Sequence, residues 1–151
     1  MSKDDIHTKR KGDIAEQNAI TKLLEIGVDE VYTPVGENTR ADLVYRMNNK
    51  LVPVQIKHGR YENGCVVFNC AGTHFNTTSC GRTTYEGDVD EFMVYSPKTE
   101  QIYIIPMDEI GDNEMRLRFE TNDNPHSSYH NSNWAEDYEL RSTDDLVGSD
   151  S

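Results

Sequence analysis

The chain has 151 residues, 35% of them apolar and 28% charged, and a net charge of −12. That length fits one domain able to bury about 68–70% of its unfolded surface, and no apolar run approaches a membrane span. So large a negative charge excludes a uniformly basic nucleic-acid binder, whose affinity rests on cations meeting phosphates. The charge is unevenly spread, however. The first sixty residues carry ten Lys/Arg against nine Asp/Glu, and the remainder carry five against eighteen. A phosphate-facing surface therefore has room in the first part of the chain. An acidic, Lys-poor surface also suits the salt-rich cytoplasm of a halophilic source, because net charge keeps proteins soluble. The start, Met1-Ser2-Lys3-Asp4-Asp5, lacks an apolar signal core, so the expected location is cytoplasmic.

Residues 1–10 are polar and are expected to be frayed, with Lys9-Arg10-Lys11 a small basic cluster placed for phosphate contact. From Asp13 to Ile26 the spacing of Ala15, Ala19, Leu23 and Ile26 predicts an amphipathic helix, stopped by Gly27. Glu16 stands at the edge of that stripe, where it either faces solvent or leans toward the sheet the helix covers. Glu30-Val31-Tyr32-Thr33 is a short strand candidate, and Pro34 to Arg40 a Gly-containing loop.

Two apolar-alternating runs then flank Asn48-Asn49, a pair that tolerates the positive φ of a two-residue hairpin turn. With that turn, paired positions sum to 97, so Tyr45 faces Val52, Leu43 faces Val54 and Asp42 faces Gln55. Alternation places Leu43, Tyr45, Met47, Val52, Val54 and Ile56 on a core face. Asp42, Val44, Arg46, Leu51, Pro53, Gln55 and Lys57 fall on the other. A slip of one residue would mix the two sets, which supports this register.

Further strands are expected at Val66–Phe68, Phe92–Tyr95, Gln101–Ile105 and Met115–Phe119, with a helical turn over Pro106–Ile110. Residues 71–84 and 121–133 look like polar loops, and Trp134 to Leu140 like a short docking helix. A single domain over residues 1–141 and a disordered acidic tail over 142–151 complete the expected organisation.

The chemistry implied by the hairpin is phosphodiester hydrolysis. The Asp42 carboxylate is a hard ligand suited to Mg²⁺. The Gln55 side-chain oxygen and the Ile56 backbone carbonyl could complete an oxygen-rich site, with Glu16 ligating directly or through water. A metal there would polarise a phosphate and activate water, and Lys57 would stabilise charge growing in the transition state. A surface hairpin with scattered polar residues is the alternative meaning of the same spacing.

Taken in order, Lys11-Gly12-x-x-Ala15-Glu16, Arg40-Ala41-Asp42 and Gln55-Ile56-Lys57 resemble the PD-(D/E)XK nuclease superfamily. More narrowly, they are similar to the group I intron-associated, homing-type endonucleases, with echoes at Tyr85-x-Gly87-Asp88-Val89-Asp90-x-Phe92 and Trp134-Ala135-x-Asp137-Tyr138. The resemblance spans residues 9–140. It implies an α/β, restriction-endonuclease-like core of αβββαβ type, a mixed central sheet flanked by helices. It also implies cleavage of double-stranded or branched DNA with Mg²⁺ (or Mn²⁺), by a homodimer or higher homo-oligomer. Glu16, Asp42, Gln55 and Lys57 carry over as active-site positions. Gln55 stands where an acidic ligand is usual in the superfamily, although the intron-associated group accepts Gln. Holliday-junction resolvases share the early pattern, and a catalytically inactive DNA-binding module of the same fold is a third reading.

Other residues admit functional roles. Arg40, His58, Arg60 and Arg82, with Lys9, Arg10 and Lys11, are candidate DNA contacts. Cys65, Cys70, His74 and Cys80 could form a zinc site, but C-x4-C-x3-H-x5-C lacks the tight C-x2-C pair, so free thiols are expected. Asp88 and Asp90 alternate along a strand edge, as metal ligands or as turn and cap residues.

Overall fold

The computed structural model describes residues 3–36, 39–70, 88–119 and 132–149. The first element, α1 (Lys3–Glu25), begins well before Asp13. The N-terminal segment expected to be frayed is thus helical from Lys3. Its described side chains from His7 to Ile14 are all exposed, so no apolar stripe existed to announce it. From Ala15 onward the predicted face is real: Ala15, Ala19 and Leu23 are completely buried. Gly27, at φ 101°, ends the helix. The Gly27 N–H donates to the Leu24 carbonyl and the Val28 N–H to the Leu23 carbonyl, at 3.2 and 3.0 Å. This is the Schellman pattern, which needs the left-handed residue that glycine supplies.

A five-stranded mixed sheet follows from β1 (Glu30–Tyr32), β2 (Leu43–Met47), β3 (Lys50–His58), β6 (Glu91–Ser96) and β7 (Gln101–Pro106), in that spatial order. The hairpin register is the one derived from the turn, with Leu43 opposite Val54, Tyr45 opposite Val52 and Met47 opposite Lys50. Asn48 and Asn49 have φ of 53° and 64°, the primed turn that matches strand twist. Strand β3 pairs in parallel with β6, Gln55 opposite Phe92 and Lys57 opposite Val94. The crossover joining them contains β4 (Arg60–Glu62), β5 (Cys65–Asn69) and residues 71–87, which lie outside the described residues. One α-helix is present among the described residues.

A second sheet, ordered β4-β5-β8-β9, adds β8 (Glu114–Arg118) and β9 (Asn133–Trp134). The main sheet lies between this sheet and α1. On one face Ala15, Ala19 and Leu23 pack with Leu43, Tyr45, Val54, Ile56 and Met93. On the other, Phe92, Val94, Tyr103 and Ile105 pack with Val66, Phe68, Met115 and Leu117. Burial on both faces explains why Gln101–Ile105 reads as a continuous apolar run rather than an alternating one. The chain passes between sheets at Gly59. Its N–H donates to the Tyr95 carbonyl at 2.8 Å, and an added Cβ would lie 2.4 Å from Val66 Cγ1 and 2.9 Å from Val94 Cγ1.

Two C-terminal expectations are corrected. Trp134 to Leu140 does dock, but as β9, a 3₁₀ turn (Ala135–Asp137) and an edge segment. The Ile104 N–H donates to the Tyr138 carbonyl and the Leu140 N–H to the Ile102 carbonyl, at 2.7 and 2.8 Å, which covers the open edge of β7. Residues 142–149, expected to be a disordered tail, are two 3₁₀ turns with a capping box at Ser142. Leu146 is buried in the α1-side core. Composition hid this because the anchors are backbone groups. The Val147 N–H donates to Glu91 Oε2 at 3.0 Å and the Gly148 N–H to the Tyr45 hydroxyl oxygen at 3.1 Å. The Tyr45 hydroxyl in turn donates to Glu91 Oε1. Glu91 is fully buried, and that burial pushes its carboxyl up from 4.5 to about 7.

Because the folded pKa of Glu91 is raised, the native state holds the proton over a range where the unfolded chain has lost it. Its contribution to stability is full below pH 4.5 and is lost as pH rises through about 7. The unfolding free energy should therefore fall more steeply between pH 5 and 8 in wild type than in Glu91→Gln, by up to about 3 kcal/mol; parallel pH profiles in denaturant unfolding would contradict this. At the sheet junction, Gly59→Ala should cost about 1–3 kcal/mol in denaturant unfolding, part of it recovered when Val66→Ala is added.

Candidate active site

The hairpin brings the candidate residues to one end of the main sheet. Asp42 immediately precedes β2, and its N–H donates at 2.9 Å to the carbonyl of Val54, the residue already opposite Leu43, so the regular ladder ends there. Its carboxylate oxygen Oδ2 accepts two hydrogen bonds, from Gln55 Nε2 at 2.7 Å and from the Ile56 N–H at 2.8 Å. Both fall on the same oxygen, which leaves Oδ1 as the oxygen available to a cation. A strand residue points its N–H and C=O to the same side. The Ile56 carbonyl therefore faces the Asp42 side too, beyond the start of β2.

Lys57 lies two residues past Gln55 on the same face, as its pairing with Val94 requires. Burial raises the Asp42 carboxyl above its ordinary value, opposed by the Ile56 N–H and then by the positive charge of Lys57. Glu16 leans in from α1, half-buried rather than solvent-facing. Its carboxyl is also raised, first by burial, then by the charge of Asp42, then by Asp13. Asp13 was not singled out in the sequence, although its place three residues before Glu16 puts it on the same helix side. Two partly desolvated carboxylates acting on each other form a pair that a cation between them would stabilise.

The donor set fits a hard divalent ion. Glu16, Asp42, Gln55 and the Ile56 carbonyl offer oxygen only, the preference of Mg²⁺, which keeps several waters and takes one or two carboxylates. Among the described residues no group of three or more His, Cys, Asp or Glu side chains gathers to hold a metal. A cation here would rest on two carboxylates, an amide, a carbonyl and water.

The basic candidates are placed differently. Lys9, Arg10 and Lys11 are exposed along the first half of α1. Burial and then the charge of Lys11 push His58 below its ordinary value, which sets Lys11 near the end of β3. Arg40 is 77% exposed and pairs with Asp88 at 2.8 Å, which gives Asp88 a cationic partner. Arg60 belongs to a ring of alternating charge on the second sheet, bonded to Glu114 at 2.7 Å and Glu62 at 3.0 Å, with Arg116 bridging the same two glutamates. Arg82, His74 and Cys80 lie outside the described residues. Cys65 and Cys70 are buried free thiols.

The geometry can be set beside known proteins. The PD-(D/E)XK endonuclease family model matches residues 6–141, a span that contains every member of the cluster. The chain is similar to the solved structure of a bacterial homing endonuclease, I-Ssp6803I, with 30% sequence identity and a TM-score of 0.67, over 87% of this chain and 88% of that one. No curated protein matches the chain. Helix α1 packed on a mixed sheet, with a parallel β3–β6 pair at its centre, is a restriction-endonuclease-like fold. The chain belongs to the PD-(D/E)XK endonuclease family, and it is a nuclease.

Proposed function

We propose that the protein is a Mg²⁺-dependent endodeoxyribonuclease of the homing type, hydrolysing phosphodiester bonds in double-stranded DNA. The observation that carries this reading is the Asp42 carboxylate held by Gln55 and Ile56 across the hairpin, with Lys57 on the same face. A bound metal would supply Lewis-acid polarisation of the phosphate and a water of lowered pKa. Asp42, through Oδ1, and the Ile56 carbonyl would hold it, with Gln55 Oε1 and Glu16 completing the oxygen set. Lys57 presents an ammonium to the non-bridging phosphate oxygens, where negative charge grows as the attacking water adds. Glu16, which acts on Asp42 across the site, would take a proton from that water or hold it in line.

The similarity to a homing endonuclease favours linear duplex DNA over a branched junction as substrate. Lys9, Arg10 and Lys11 offer phosphate contacts along α1, in the part of the chain that is not strongly negative. One such site cuts one strand, so a double-strand break takes two copies of the chain and a homo-oligomer is the working assembly.

Purified protein should cut linear or supercoiled DNA in Mg²⁺ or Mn²⁺, tested at low and at multimolar salt beside a four-way junction. Asp42→Ala and Lys57→Ala should each lower the rate by at least about a hundredfold. Failure of the wild type to cut any of these substrates would sink the proposal, and cleavage of the four-way junction alone would move it to the resolvase class.

A further inference from the structure

Gln55 occupies the position where an acidic metal ligand is expected, and its hydrogen bonding gives it a different task. We propose that Gln55 is a positioning residue whose side-chain amide fixes the orientation of the Asp42 carboxylate, a function that glutamate could not perform. The inference rests on the endonuclease reading of this site.

Asp42 as a carboxylate only accepts hydrogen bonds, so the end of the Gln55 amide that faces it must be the NH₂. That NH₂ lies 2.7 Å from Asp42 Oδ2, beside the Ile56 N–H at 2.8 Å on the same atom. Two converging donors on one oxygen restrict rotation of the carboxylate and leave Oδ1 as the oxygen presented to a cation. With its nitrogen held on Asp42, the Gln55 Oε1 takes no part in that bond. Gln55 can then offer an uncharged oxygen while it holds Asp42. A glutamate at 55 has no proton to donate at neutral pH. It would bring a third negative charge up to Asp42 and Glu16, which already act on each other across the site.

The two roles separate in their response to substitution. If Gln55 were only a weakened ligand, glutamate would serve as well or better and an apolar isostere would be the damaging change. If Gln55 is a donor to Asp42, both changes remove the donor. The test compares wild type with Gln55→Glu and Gln55→Met in the full chain, by Mg²⁺ calorimetry without DNA and by cleavage at saturating Mg²⁺. Gln55→Glu should bind Mg²⁺ at least as tightly as wild type and yet lose about tenfold in kcat, the factor one charge-assisted hydrogen bond carries. Gln55→Met should lose in both measurements. Equal or greater kcat in Gln55→Glu overturns the proposal. A second readout needs neither metal nor turnover: the side-chain amide ¹⁵N resonances of Gln55 should shift and exchange faster in Asp42→Ala. If they do not move, the bond is absent and the proposal fails. This readout decides the matter even if the wild type cuts no DNA, which would instead refute the nuclease mechanism above.

Discussion

Everything at the candidate site depends on the register of one hairpin, and two asparagines set that register. With Asn48 and Asn49 both at positive φ, β2 and β3 can close only with Leu43 opposite Val54. Asp42 then meets Gln55, Lys57 emerges on the same face, and the Ile56 N–H turns toward the Asp42 carboxylate. A slip of one residue would mix the two sets, sending either Asp42 or Lys57 into the core against α1 and turning either Tyr45 or Val54 outward, an exchange too costly to occur. The same turn is held from the other side, where Asn48 Nδ2 donates to the Gly148 carbonyl at 3.1 Å. The C-terminal turns thus brace the tip of the hairpin whose opposite end carries the candidate site.

Two buried carboxyl systems in this protein show how environment separates structure from function. Glu91 is fully enclosed, and both its oxygens are occupied, one by the Tyr45 hydroxyl and one by the Val147 N–H. Its surroundings are complete without a ligand, and it ties the C-terminal segment to the sheet. Asp42 is less buried, and among the described residues both of its hydrogen bonds fall on one oxygen. It also acts on a second carboxylate, Glu16, whose charge it opposes. Burial raises both Glu91 and Asp42, so a shifted pKa alone does not mark the site. The gathering of Asp42 with Glu16 and Lys57 is what sets the candidate site apart.

Much of this was legible in the sequence, for reasons that can be named. Alternation with a period of two, joined to an Asn-Asn turn, defined the hairpin residue by residue. The i, i+4 spacing of Ala15, Ala19 and Leu23 defined the buried half of α1, but the exposed half carried no apolar stripe and went unread. The β4–β5 hairpin was missed although Asn63-Gly64 marks it, both residues lying at positive φ; the flanking Arg60-Tyr61-Glu62 has too little apolar content to look like a strand. The folding of residues 142–149 was invisible because it is held by backbone N–H groups on Glu91 and Tyr45, distant in sequence. The direction of the Gln55 amide could not be read from spacing at all. Only the donor and acceptor inventory around Asp42 reveals it.

The central claim is that Asp42 Oδ1 and the Ile56 carbonyl hold a divalent cation at a DNA phosphate. A crystal structure of the protein with duplex DNA and Ca²⁺, a hard cation that also takes oxygen ligands, tests it most directly. The cation should lie about 2.3–2.6 Å from Asp42 Oδ1 and from the Ile56 carbonyl oxygen, with a phosphate oxygen in its coordination shell and the Lys57 ammonium beside that phosphate. Calcium bound elsewhere, or DNA seated on a face that leaves Asp42 and Lys57 in solvent, would contradict it.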